Sequence, residues 1–557
     1  MALNKKITLT LITALFFILF NQGYSQVFKY WVMFKNKTGT PYTVGTPTAY
    51  LTPKSILRRT NQSISINTTD LPVTPSYVSQ IAAVPSVTVL YRSKWLNGVV
   101  IKTASAAALT TIGTFSFVNN TKKVNKYQLS FPYKNNEQPN PGTLNSSKTA
   151  NLAGYNYGGA DWQQKMLQVD CMHNQGLRGQ GITIAVIDDG FDQVNTNSIF
   201  DSLFLENRLL GTRDFVSGDT IVFDDDAHGA WCLSTMAANK PGIIIGTAPK
   251  AKYWLLRSED VGSETLSEEY NWIRAAEFAD SVGADITTTS LGYSTFDGGL
   301  NDHVYATDLD GKTAPMSIAA NMASRKGMIV LNAAGNAGGG PWNYITVPSD
   351  ADSIIAVGAV DSLGVKAGFS SFGPSADGRI KPDLSARGAK SLVCGPFVSC
   401  FFGNGTSFAT PILAGAVACL WQSKTIATNM QVISALKNTA SNFATPNNNI
   451  GWGVPQICNA KTILAPLSIN NVSNGSDKLI LFPNPFTNEI NIQFSQGNFS
   501  SVQIKITDVL GTEMFNEIMD GNSGSIHLRE ISKFSNGFYL INISYPEFNQ
   551  TFKIIKN

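Results

Sequence analysis

The sequence predicts an α/β domain built on a mostly parallel sheet, preceded by a smaller α+β segment and followed by a small all-β sandwich. Three observations carry this. From about Tyr155 to Pro466, short apolar runs alternate with helical stretches, the pattern of parallel strands joined by crossover helices. From about Lys478 onward, apolar residues recur at every second position, the signature of half-buried strands. The length of 557 residues, at roughly 150 residues per domain, leaves room for three or four such units.

Composition narrows the function classes. The net charge of +3 asks for neither a nucleic-acid nor an anionic-membrane partner. An apolar content of 43% argues against disorder for most of the chain. Six cysteines are too few for a disulfide scaffold, and no CxxC pair suggests a cysteine zinc site.

At the N-terminus, Lys5 and Lys6 precede an apolar run from Ile7 to Phe20. The run is shorter than the roughly 18 residues that suggest a membrane span, and it suits the core of a signal peptide. Gly23-Tyr24-Ser25 offers small residues before a cut at Ser25/Gln26, giving a signal peptide over 1–25; the alternative is an uncleaved anchor. No other stretch reaches spanning length, so the mature chain is expected to be exported with no membrane span. Residues 26–150 read as mixed: a strand at Val27–Phe34, a helix at Ser76–Ala83, a strand at Ser86–Tyr91, then an Asn-, Pro-, Gly- and Ser-rich cleavable linker from Tyr133 to Ala150.

The central region holds the chemistry. Gly181 to Ile187 is a short apolar strand ending on Asp188, and the C-terminal ends of parallel strands are where open α/β sheets place their sites. His228, one of four histidines, opens a run of small and apolar residues that suits a buried helix. Ser407 starts a fully apolar helix through Leu420, where unpaired amides and the helix dipole favour negative charge. Pro411 is read as lying in the first turn, where its missing N–H is tolerated. Taken singly, these residues suit a turn acid, a core histidine and an N-cap.

Together they carry a resemblance. Asp188, His228 and Ser407, in that order, within "IAVIDDGF", "HGAWCLSTMA" and "GNGTSFATP", resemble the subtilisin family of serine peptidases. "LNAAGNAG", "ITTTSLGYS" and "IKPDLSARG" fit as well, over about 300 residues. The resemblance implies a secreted endopeptidase with a subtilisin-like three-layer domain over 155–466. Ser407 would be the nucleophile, His228 its base and Asp188 the group holding His228 in the right tautomer. Asn336 and the backbone N–H of Ser407 would stabilise the oxyanion. Ser290, Leu291 and Gly292 would line an extended protein or peptide substrate. No cofactor is implied for the chemistry. Structural calcium is frequent in the family, but no metal ligand string is assignable. Serine-carboxyl peptidases, which carry Glu and Asp where this chain has His228 and Asn336, are excluded. The rival reading is a catalytically silent surface protein that keeps the fold for binding.

Three residues depart from the family pattern. Asp189 replaces the usual Ser or Thr, and either raises a neighbouring carboxyl pKa or points away. Trp231 replaces a second histidine that supports the helix, and Arg387 replaces a common proline.

The segment before the enzyme resembles an inhibitory propeptide by position, the alternative being a permanent accessory domain. After a linker at 467–477, residues 478–557 carry "LFPNPF", "VQIKITDVLG", "FSNGFYLINI" and "TFKIIKN", which resemble the sorting domain of type IX secretion substrates; a generic β-sandwich is the alternative. The implied partners are substrates, the chain's own propeptide and the type IX machinery, and the implied location is the outer cell surface or beyond, reached through the periplasm. Cys394 and Cys400 can close a small loop in an oxidising compartment, while Cys232 and Cys419 read as inert buried thiols.

Overall fold

The computed structural model describes residues 27–125, 155–464 and most of 479–556, and the chain divides at Leu464/Ala465 into two compact units. The signal peptide and both linkers anticipated above lie outside the described residues.

The first unit begins with β1 (Phe28–Phe34), α1 (Pro53–Asn61), α2 (Pro75–Ala82), β2 (Thr88–Ser93), β3 (Gly98–Thr103), α3 (Ala106–Thr114) and β4 (Val118–Lys123). The strands form an antiparallel sheet in the order β2-β3-β1-β4. One face buries Val32, Phe34, Val99 and Ile101 under Val78, Ile81, Ala108 and Ile112. The other face sends Trp31 and Val100 into the core of the following domain.

That domain contains β5 (Thr183–Asp188), β6 (Leu209–Asp214), α4 (His228–Ala237), β7 (Lys252–Arg257), α5 (Leu266–Ser281), β8 (Ile286–Thr289), α6 (Pro315–Arg325), β9 (Ile329–Ala333), β10 (Ile355–Val360) and β11 (Leu384–Arg387). These strands make one seven-stranded sheet, β11-β10-β9-β8-β5-β7-β6, and every pairing in it is parallel. A hairpin of β12 (Ser391–Gly395) and β13 (Ser399–Gly403) leads into α7 (Thr406–Gln422). Period two divides the strands between two cores. Ile184 and Val186 of β5 face α4 and α7, while Ala185 and Ile187 face α5 and α6. Helices therefore cover both faces, as parallel sheets require, and the three-layer expectation holds. α7 is buried from Thr406 to Trp421 because it runs through the centre of its layer.

The sheet of the N-terminal segment docks on α5 through charge as well as packing. Arg58 and Arg59 of α1 pair with Asp280 of α5, and Arg59 also reaches Asp70 at 2.8 Å. Lys326 binds the same Asp70 oxygen, Oδ1, at 2.7 Å. Glu277 accepts the backbone N–H groups of Lys94 and Trp95, each at 3.0 Å. Trp31 packs on Tyr270 with ring centroids 4.9 Å apart.

Cys394 and Cys400 are bonded across the β12–β13 hairpin, and a second disulfide joins Cys171 to Cys458. Cys232 and Cys419 are free and buried.

The second unit holds β14 (Leu479–Phe482), β15 (Ile490–Phe494), β16 (Phe499–Asp508), β17 (Glu513–Gly521), β18 (Ser525–Leu528), β19 (Gly537–Tyr545) and β20 (Phe548–Lys556). They form two antiparallel sheets, β14-β15-β18 and β17-β16-β19-β20. Val502, Ile504, Ile506, Ile541 and Ile543 are fully buried between the sheets, together with Ile490 and Ile492. The period-two pattern thus sorts these residues inward. Among the described residues, no helix is long and apolar enough to cross a membrane.

Candidate active site

The site is built at the C-terminal end of the parallel sheet. Asp188 is the last residue of β5, and β8 beside it ends at Thr289, one residue before Ser290. α4 opens with His228 and packs over β5. The close approach depends on Gly229, where a Cβ would sit 2.2 Å from the carbonyl oxygen of Gly190 and 2.9 Å from the Asp188 Cβ.

His228 Nδ1 lies 2.6 Å from Asp188 Oδ1, which also accepts the Asp189 N–H at 3.1 Å. With Asp188 ionised, Nδ1 carries the proton and Nε2 is left free as an acceptor. The His228 side chain is 22% exposed and that of Asp188 only 1%, so solvent or substrate reaches the imidazole and not the acid. Burial by itself would push the imidazole pKa down. Cys232 and Asp188, through charge and hydrogen bonding, act against this and together hold His228 well above its ordinary range, while burial pushes the Cys232 thiol itself up to about 11.

Ser407 stands in the first turn of α7, where its N–H has no intrahelical acceptor. Its hydroxyl donates to the Ser290 carbonyl at 3.3 Å. Among the described residues no hydrogen bond joins it to His228. Catalytic hydrogen bonds commonly tighten only when substrate is present.

Pro411 corrects one expectation. α7 begins at Thr406, which puts the proline in the second turn. Its missing N–H would otherwise have bonded the Ser407 carbonyl. Two side chains take over that acceptor: Ser290 Oγ at 2.8 Å and Cys232 Sγ at 3.4 Å. Cys232 also lies 3.9 Å from His228 Nδ1, so this thiol sits directly behind the site, which the sequence reading did not anticipate. The signal was available, because a residue four positions after His228 returns to the same helix face.

Asn336 follows the end of β9, and its Oδ1 accepts both the Thr406 N–H and the Thr406 hydroxyl, each at 2.9 Å. With the oxygen so held, the amide NH₂ is the free end of the side chain, next to the start of α7. Of the residues expected to line a substrate, Leu291 has its carbonyl held by Asn332 Nδ2 at 3.0 Å. Gly292 is exposed, its backbone makes no hydrogen bond among the described residues, and a Cβ there would meet Thr346 Oγ1 at 2.2 Å.

Asp189 does not point away. It lies just past the end of β5, beyond strand alternation, and accepts the Gly229 N–H at 3.1 Å. Burial, and then the neighbouring charge of Asp188, push its carboxyl well above the usual range. Trp231 packs edge-on against Phe401 with ring centroids 5.2 Å apart, tying α4 to the disulfide hairpin.

Comparison with known proteins agrees with this geometry. The subtilase family matches residues 179–453, a peptidase S8 propeptide domain of Bacteroidota matches 29–140, and a secretion system C-terminal sorting domain matches 480–557. A subtilisin of Bacillus pumilus is 31% identical over 279 residues, covering 49% of this chain and 89% of its own. Subtilisin Savinase of Lederbergia lenta is 28% identical over 287 residues, covering 51% of this chain and 93% of its own. An alkaline protease of Shouchella clausii is 28% identical over 287 residues, covering 51% and 66%. Subtilases need no cofactor for catalysis, which suits a site built from an acid, an imidazole and a hydroxyl. The sorting domain marks the chain for the cell surface or the space beyond. The chain belongs to the subtilase family of serine endopeptidases, preceded by a propeptide domain and followed by a secretion sorting domain.

Proposed function

We propose that the chain hydrolyses peptide bonds with Ser407 as nucleophile, His228 as general base and then acid, and Asp188 as the group that fixes the imidazole. The Ser407 hydroxyl attacks the scissile carbonyl while His228 Nε2 takes its proton, then passes that proton to the leaving amine. Asp188 does not take the proton; it stabilises the imidazolium. The Asn336 NH₂ and the Ser407 N–H meet the oxyanion. The substrate lies extended along Ser290–Leu291–Gly292, and backbone pairing there gives broad specificity. The propeptide domain is the enzyme's own first partner, and the sorting domain engages the type IX machinery.

The observation that carries this reading is the 2.6 Å Asp188–His228 contact through Nδ1, which leaves Nε2 as the free base. A fluorophosphonate probe tests it. The mature protein is expected to be labelled, and Ser407→Ala to lose the label. Labelling that survives the substitution places the nucleophile elsewhere, and no labelling of the parent favours a silent binding protein.

A further inference from the structure

Among the described residues one other group of acids converges. Glu259, Glu264 and Glu268 each bring a carboxylate oxygen within 4.8 Å of the others. Glu259 lies two residues past the end of β7, and Glu268 in the first turn of α5, so the loop between them folds back on itself. Glu268 is 1% exposed and Glu259 9%.

The cluster lacks a counter-charge. The Tyr293 hydroxyl donates to Glu259, and Ser263 Oγ donates to Glu268 Oε1 at 3.2 Å. Glu268 Oε2 is buried and has no hydrogen-bond partner among the described residues. No ion pair with Lys, Arg or His involves any of the three among the described residues; Lys29 of the N-terminal segment lies within the field of Glu268 without pairing with it. A buried carboxylate oxygen with neither donor nor cation is costly, and three glutamates together are a poor way to fill apolar space.

A cation that seeks oxygen resolves this. Ca²⁺ takes six to eight oxygens at about 2.3–2.6 Å, so two ligands of one ion lie up to about 5 Å apart. The observed spacing is within that span. Oxygen-only donors disfavour soft metals, and Mg²⁺ keeps much of its own water.

We propose that Glu259, Glu264 and Glu268 form a calcium site. The ion ties the β7–α5 loop to the start of α5 and, through the Tyr293 contact, to the chain that follows the substrate edge at Gly292. This assignment does not depend on which residue is the nucleophile.

The test uses the full chain carrying Ser407→Ala, stripped with EDTA. Ca²⁺ is titrated by calorimetry, and Tb³⁺ by luminescence excited through nearby aromatic rings. The parent is expected to bind one more Ca²⁺ per chain than Glu268→Gln, and Ca²⁺ is expected to raise its Tm by roughly 5 °C more. Glu264→Gln, at a less buried position, is expected to lose the same ion and serves if Glu268→Gln does not fold. Equal stoichiometry in the parent and both variants overturns the proposal. So does an unchanged Ca²⁺ response combined with weaker cleavage, in the Ser407 enzyme, of peptides bearing Lys or Arg; the acids would then recognise a basic side chain.

Discussion

Asn336 offers the sharpest separation between a structural and a chemical role, because its two ends do different things. Its Oδ1 holds the Thr406 N–H and hydroxyl at 2.9 Å each, at the buried start of α7. Its NH₂ is the group assigned to the oxyanion. Asn336→Leu removes both ends. Leaving the Thr406 N–H unpaired in a buried setting costs about 1–3 kcal/mol of stability. Losing the oxyanion donor lowers kcat by about 10²–10³, a figure measured in a subtilisin and borrowed from that relative; it corresponds to about 2.7–4 kcal/mol in the transition state. Asn336→Asp keeps the acceptor and deletes only the donor. It is expected to unfold within about 1 kcal/mol of the parent while losing at least as much kcat, because an ionised carboxylate repels the oxyanion. KM should stay near the parent value in both variants, since the interaction forms mainly in the transition state. Steady-state kinetics and urea unfolding of each variant, the unfolding done with Ser407→Ala to stop self-digestion, supply the numbers. An Asp variant that keeps full kcat would refute the assignment and leave Asn336 as an anchor for Thr406.

Two further outcomes follow from charge. His228 must be neutral to act as a base, and Cys232 and Asp188 together hold its pKa above the ordinary value of about 6.5, so kcat/KM is expected to rise with pH along a limb centred above 6.5. Burial alone would raise the Asp280 carboxyl, but Lys94, Arg58 and Arg59 bring it down to about 2. A depressed carboxyl contributes stability above its unfolded value of about 3.9, and that contribution is lost as pH falls toward 2. Asp280→Asn, which leaves the buried Arg58 without a carboxylate and Arg59 with only Asp70, should weaken the docking of the propeptide domain by about 3–5 kcal/mol at neutral pH; unfolding of the Ser407→Ala chain that matches the parent would contradict this.

What could be read from the chain alone was whatever local pattern encodes. The strand ending on Asp188 and the apolar helices opening at His228 and beside Ser407 were legible as local pattern, but singly they suited a turn acid, a core histidine and an N-cap; the subtilisin-like strings around all three marked them as one candidate site. Val502, Ile504 and Ile506 announced their strand because period two sorts side chains to opposite faces. Contacts between distant segments had no such signature. The bond between Cys171 and Cys458 spans a sequence separation of 287 and depends on how the helices Val169–Asn174 and Ile457–Leu464 pack. The Ser407 carbonyl is satisfied by Ser290 and Cys232 only because Pro411, α4 and the end of β8 meet at one point. The Asp189 carboxyl turns to the Gly229 N–H because the chain leaves the strand there and strand alternation no longer governs it. The three glutamates lie within ten positions of one another, yet only the fold of the β7–α5 loop against Tyr293 brings their oxygens together and shuts out water. Residue type and periodicity are properties of the chain; proximity, burial and the pKa shifts that follow from them belong to the packed molecule.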